Sequence, residues 1–148
     1  MNFLLKSFND LSNLQIFQLY QLRAMVFVVE QNCPYQDVDD KDLEALHLML
    51  YENDSLAAYC RILPPGLSYD EPSIGRVVVR KEFRRKKMGD QLMKQSIKLC
   101  LDLFKNQDIV ISAQSYLKRF YNDLGFLEEG ETYLEDDIPH IKMRYLKH

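Results

Sequence analysis

Residues 73–104 read SIGRVVVRKEFRRKKMGDQLMKQSIKLCLDLF, and the fold is decided here. Val77, Val78 and Val79 form a β-branched run of the kind that fills a buried strand. A dense basic turn, Arg84-Arg85-Lys86-Lys87, follows and closes on Gly89. Beyond it Leu92, Met93, Ile97, Cys100, Leu103 and Phe104 share one helical stripe, with Lys94, Lys98 and Lys105 opposite. Strand, tight turn and helix N-terminus bring unpaired backbone N–H groups and a positive dipole end to one spot. That combination suits an anion, and a pyrophosphate above all.

The loop resembles the acyl-CoA signature R-x-x-G/A-x-G/A of the GNAT N-acetyltransferases. Arg84 and Gly89 match it, and Lys87 replaces the first glycine. The resemblance implies an acetyl-CoA site formed by Val77, Val78, Val79, Arg84, Arg85, Lys86, Lys87, Met88, Gly89 and Asp90. Within it, the backbone N–H near Val77 would polarise the thioester carbonyl and Val79 would pair with the pantetheine amide.

A chain of 148 residues, 47% hydrophobic and 28% charged, makes one domain with a real core. A net charge of −3 argues against wholesale nucleic-acid binding in spite of the basic turn. Cys33, Cys60 and Cys100 are odd in number and lack metal-ligand spacing, which points to free thiols in a reducing cytoplasm. No metal site is expected. The N-terminal MNFLLKSFND turns polar too soon for a signal peptide, and no apolar run would span a bilayer. A soluble cytoplasmic protein, monomer or homodimer, is expected.

Taken in order, residues 3–8 predict a short first strand. Ser12 and Gln15 make a capping-box pattern for a helix carrying Ile16, Leu19, Tyr20 and Phe27, with Arg23 on the same face and Pro34 as its stop. Arg23 could snorkel at the core edge or bind a substrate carboxylate. The segment Val26 to Asp40, VFVVEQNCPYQDVDD, with Leu22-Arg23 ahead of it, is similar to the ElaA-type branch of the GNAT superfamily, and the similarity extends through His47 towards the C-terminus. Asp37, Asp39, Asp40, Asp42 and Glu44 form an acidic loop, either plainly solvated or a negative rim that attracts a cationic amine.

Leu46–Tyr51 and Leu56–Leu63 predict strands about a turn at Glu52-Asn53-Asp54, and Ile109–Ala113 a further buried strand. All five prolines fall between the predicted elements. Residues 116–126, YLKRFYNDLGF, resemble the F-Y-x-x-x-G-F helix end that lies beside the acyl-CoA thiol in GNAT proteins, with Phe120, Tyr121, Gly125 and Phe126 matching. Tyr133 and Ile141–Tyr145 suggest two closing strands around turns at Asp136-Asp137 and Pro139-His140. The alternation of strands and helices predicts an α/β fold. The resemblance specifies a GNAT-type mixed central sheet flanked by helices, an α/β/α sandwich in which residues 109–113 lie beside the central strand and splay from it.

Acyl transfer to an amine requires a neutral nitrogen, a stabilised oxyanion and a proton for the leaving thiolate. Deprotonating a lysine-like amine at neutral pH costs roughly 4–5 kcal/mol, so a base is needed. Some GNAT branches place a glutamate early in the central strand, but Ser73 falls near that position here. Glu30, His47, Glu71 and His140 remain as candidates, with Glu30 favoured by its place in the ElaA-like segment, while Arg23, His47 and His140 are expected around the acceptor. Tyr121 is the expected proton donor to the thiolate. A CoA-binding module without catalysis is the alternative. A nucleotide-binding protein ranks last, for want of a G-K-[ST] or G-x-G-x-x-G loop.

Overall fold

The computed structural model describes residues 1–148. Its strands and helices are β1 (Asn2–Ser7), α1 (Asn13–Arg23), β2 (Leu46–Glu52), β3 (Ser55–Leu63), β4 (Ser73–Val79), α2 (Met88–Leu103), β5 (Ile109–Gln114), α3 (Lys118–Asp123), β6 (Phe126–Glu135) and β7 (Ile138–Tyr145). The capping box forms: Gln15 N–H donates to Ser12 Oγ at 3.1 Å, and Ser12 N–H to Gln15 Oε1 at 2.8 Å. α1 does not run on as an α-helix to Pro34. Over Ala24–Glu30 it widens to π geometry, with Gln31 N–H bonded to Val26 O and Cys33 N–H to Val28 O, each five residues back. Such bulges cluster at functional sites, and this one ends beside the basic loop.

The strands form two antiparallel sheets, in the orders β1-β2-β3-β4 and β5-β7-β6. They meet where β4 and β5 begin, through Val110 N–H donating to Pro72 O at 3.0 Å. Past that bond a cleft lies between Ile74–Val77 on one strand and Ile111–Gln114 on the other. The expected splay of the central strand from its neighbour is therefore present. α2 packs Leu92, Met93 and Ile97 against Leu48, Cys60 and Ile62 on one face, and α1 packs Leu19 and Leu22 against Met49, Tyr59 and Val78 on the other. Val78 thus points into one core while Val77 and Val79 point towards the opposite one, as strand alternation requires. The result is the expected sandwich.

Two features of the strands matter for the site. Tyr59 pairs with Val78 and Arg61 with Gly75, so Cys60 faces the extra residue of a bulge, where Arg76 has φ 50°. A bulge leaves one residue outside the ladder and re-aims its neighbours. The β6–β7 hairpin turns on Asp136 and Asp137, with φ 52° and 62°. Pro139 and His140 belong to β7 rather than to a turn. Pro139 is tolerated in that middle strand because it pairs only with Leu134 of β6; the β5 ladder starts one residue later, at His140 and Gln114. No helix is long and apolar enough to cross a membrane.

Candidate active site

The basic loop builds its groove from the backbone outward. Arg85 and Lys87 hold left-handed φ values of 66° and 59°, which turn the chain sharply into α2. Lys87 is the helix N-cap but supplies no side-chain cap. The first helical bond is Gln91 N–H to Lys87 O at 3.1 Å, so the N–H groups ahead of it have no partner within the helix. Val79, Arg84, Arg85, Lys87, Met88, Gly89 and Asp90 line a groove of about 600 Å³ together with Phe120. Gly89 lies beside Val79 and Phe120, whose side chains are 3.6 and 3.7 Å from where its Cβ would be, ordinary contact distances. Lys86 is not in the groove and sits 5.5 Å from the Phe83 ring centroid.

Arg84 has a different task from its neighbours. Its Nε donates to Val79 O at 3.1 Å, and its two terminal nitrogens grip both Glu30 carboxylate oxygens at 2.5 and 2.8 Å. The side chain therefore ties the π-helical end to the loop. Glu30 is held below the usual carboxylate range by the Arg84 hydrogen bonds, and it lies outside the cleft between the strands. Both facts oppose the expected role of Glu30 as general base.

That cleft, about 570 Å³, is a separate space whose lining shares strand β4 and helix α3 with the groove but no single residue. Val77 lines the cleft and Val79 the groove, while on α3 Tyr121 lines the cleft and Phe120 the groove. Strand β4 and helix α3 thus bridge the two spaces residue by residue. Tyr121 is almost fully buried and packs edge-on against Phe120 and Phe126, with ring centroids 5.1 and 5.9 Å away. Burial raises its pKa well above the ordinary value, so the phenol keeps its proton at neutral pH. Gly125 ends this helix at φ 107°, and a Cβ there would come within 2.9 Å of the Tyr145 ring.

Arg23 and His47 are inside the protein rather than in the cleft. Arg23 has no exposed surface; it donates to Asp37 Oδ2 at 2.9 Å and to Asp42 at 2.7 and 3.1 Å. Arg61 joins Asp42 at 3.0 Å and Asp39 at 2.6 Å, and Arg76 lies 2.8 Å from Asp37 Oδ1. Of the acidic loop, Asp40 and Glu44 are exposed, whereas the other three carboxylates are neither solvated nor a free negative rim. Its Asp37, Asp39 and Asp42 are matched by arginines that fasten the loop to α1, β3 and the β4 bulge. Burial alone would raise Asp42, but hydrogen bonds and charge from Arg23 and Arg61 bring it below the usual range. His47 donates from Nε2 to Asp42 O at 2.9 Å and accepts the Tyr59 hydroxyl at Nδ1, 2.6 Å away. Both its nitrogens are used, and burial lowers its pKa.

Glu71 is likewise engaged, 2.7 Å from Arg144, which lowers its pKa, and it does not line the cleft. His140 does line it. The cleft also contains Arg76 and Glu135, which the sequence reading passed over. A glycine-arginine pair inside a β-branched strand, Gly75-Arg76, is a bulge signal that could have drawn attention to Arg76. No group of three or more His, Cys, Asp or Glu side chains is placed to hold a metal ion.

A family model described as an acetyltransferase (GNAT) domain matches residues 13–147. The chain belongs to the GNAT acetyltransferase family. It is 43% identical to protein ElaA of Escherichia coli over 137 residues, covering 91% of this chain and 90% of that protein. A UPF0039 protein from Schizosaccharomyces pombe is 40% identical over 146 residues, 97% and 96% of the two chains. Among solved structures, an acyl-CoA N-acyltransferase from Pseudomonas aeruginosa superposes with a TM-score of 0.92 at 41% identity, covering 98% of this chain and 99% of the other. The E. coli ElaA crystal structure gives 0.90 at 41%, with the same coverage. As a GNAT protein of the ElaA-like kind, the chain is an acyltransferase.

Proposed function

We propose that this GNAT protein transfers an acetyl group from acetyl-CoA directly to a primary amine. One observation supports the reading most. β4 and α3 each contribute neighbouring residues to a phosphate-suited groove and to a separate polar cleft: Val79 and Phe120 line the first, Val77 and Tyr121 the second.

The backbone of Arg85 to Gly89 and the amino end of α2 would hold the pyrophosphate, with Lys87 adding charge. The β4 bulge frees backbone near Val77 to donate to the thioester oxygen as negative charge develops there, a contribution worth several kcal/mol in a dry site. Tyr121 supplies the proton for sulfur. Its raised pKa suits the task, because a thiolate forming in the same desolvated space is also destabilised and its pKa rises with that of the phenol. Supplied with acetyl-CoA and pooled small amines and peptides, the protein is expected to release free CoA and give acetylated amines by mass spectrometry. Calorimetric binding of acetyl-CoA with no acetylated product would refute it.

A further inference from the structure

We infer that His140 is the general base that deprotonates the acceptor, and that the amine arrives as an ammonium alongside the His140 Nε2 and Glu135 carboxylate pair, within hydrogen-bond reach of both. The inference rests on the amine-acetylation reading above.

The geometry begins with the tautomer. His140 Nδ1 lies 2.7 Å from Ile138 O, and a carbonyl can only accept, so Nδ1 carries the hydrogen. In the neutral ring, Nε2 is then left with a lone pair. It faces Glu135 Oε2 at 3.5 Å. Two acceptors facing one another repel, and a cationic donor beside them that reaches both offsets the repulsion. An ammonium is such a donor, with three hydrogens.

Glu135 is held for this purpose. Its Oε1 accepts from Ser112 Oγ at 3.1 Å, and Ser112 also shares a hydrogen bond with the Tyr133 hydroxyl. The His140 ring stacks on Tyr133, 6.2 Å between centroids. Ring and carboxylate are therefore both oriented by β5 and β6 before any substrate arrives. The His140 side chain is only 8% exposed, yet it borders the cleft that also holds Tyr121 and Val77. The groups in contact with the imidazole are Glu135 and Tyr133 on β6. The other titratable or charged side chains of the cleft are Cys33, Tyr35, Asp39, Lys41, Arg61, Tyr69, Arg76, Tyr121 and Asp136.

The proton account closes. His140 Nε2 takes one proton from the ammonium and later releases it to solvent. The freed nitrogen lone pair forms the C–N bond while the C–S bond breaks and its electron pair stays on sulfur. Tyr121 gives sulfur its proton, and the second nitrogen proton, acidified by C–N bond formation, restores the phenol. The net change is one amide, one CoA thiol and one proton released.

The test uses the best substrate among L-lysine, spermidine and phenethylamine, with kcat/KM measured from pH 6 to 9. His140→Asn preserves a donor to Ile138 O and should lower kcat/KM by about 10²–10⁴-fold while removing the ascending limb. Glu135→Gln keeps the base but removes its carboxylate neighbour, so KM for the amine should rise while the ascending limb remains. Melting curves and acetyl-CoA affinity should match wild type in both. An active wild type whose limb survives His140→Asn, with less than a fivefold fall in rate, overturns the assignment to His140 alone. A wild type that binds acetyl-CoA and acetylates none of the three amines overturns the transfer reading and this inference together.

Discussion

Replacing Asp42 by Asn should remove a large share of this protein's stability without touching the cleft directly. Asp42 is 1% exposed and receives Arg23 at 2.7 and 3.1 Å, Arg61 at 3.0 Å and the Asp39 N–H at 3.1 Å. Asparagine keeps the volume but removes the charge and turns an amide donor towards guanidinium donors. Breaking a buried pair typically costs about 3–5 kcal/mol, since the partner is left charged and dry. Arg23 retains Asp37 and Arg61 retains Asp39, so the lower end, about 3 kcal/mol, applies. For a domain of this size that is a fall in Tm of about 6–12 °C. Urea unfolding with a constant m-value would measure it, and Lys94→Gln is the control. Lys94 pairs with Asp90 at a side-chain exposure of 68%, where about 0.3–0.5 kcal/mol is expected. The pH dependence has a fixed sign. The folded-state pKa of Asp42 is depressed below the ordinary value near 3.8, so its contribution is complete above that pH and fades as pH falls through the folded value. Asp42→Asn should flatten this acid limb. A loss below about 1 kcal/mol, with the acid limb unchanged, would refute the idea that the network is dry and tightly coupled.

Three further outcomes are expected. Lys87→Gly relieves a left-handed N-cap at φ 59° worth about 1–2 kcal/mol but adds about 0.5–1 kcal/mol of chain entropy; Tm should rise slightly while calorimetry shows weaker, less salt-dependent acetyl-CoA binding. Tyr121→Phe should cut turnover by about 10²–10⁴-fold with acetyl-CoA affinity and Tm near wild type, and an effect under fivefold on a chemistry-limited rate would leave the ring a packing residue. Gly125→Ala forces a side chain into φ 107° and against Tyr145, so it should cost about 1–3 kcal/mol by thermal melting.

What could be read from the sequence followed from local rules. The change from a β-branched run to a helical stripe across residues 73–104 gave β4 and α2, and the Ser12–Gln15 spacing gave the start of α1. The pitch change over Ala24–Glu30 left no mark, because no glycine or proline accompanies it. Charge pairing was equally hidden. Arg23 sits 14 and 19 residues from its two aspartates, and no periodicity reports a partner at that distance. An arginine on an apolar stripe, another inside a buried strand and a loop dense in aspartate are the signal that could have pointed to a paired network, since unpaired charges are rarely buried.

The misreading of residues 136–140 has the most consequence for function. Proline before His140 suggested a second turn, which would have left the imidazole on a mobile corner. In the structure Pro139 escapes the ladder only because β5 stops short of it, and His140 is paired with both Gln114 and Tyr133. A histidine fixed from two sides, with its Nδ1 hydrogen committed to Ile138 O, presents Nε2 in one direction only. Glu30, the favoured base, is spent on Arg84; His47 and Glu71 are spent on Asp42 and Arg144. Each candidate was a plausible base by residue type, and their hydrogen-bond partners are what leave His140 as the proposed one. The same argument separates Arg84 from Lys87. Both are cations of the basic loop, but the Arg84 guanidinium is occupied by Glu30 and Val79 O, whereas the Lys87 ammonium is unpaired and lines the groove.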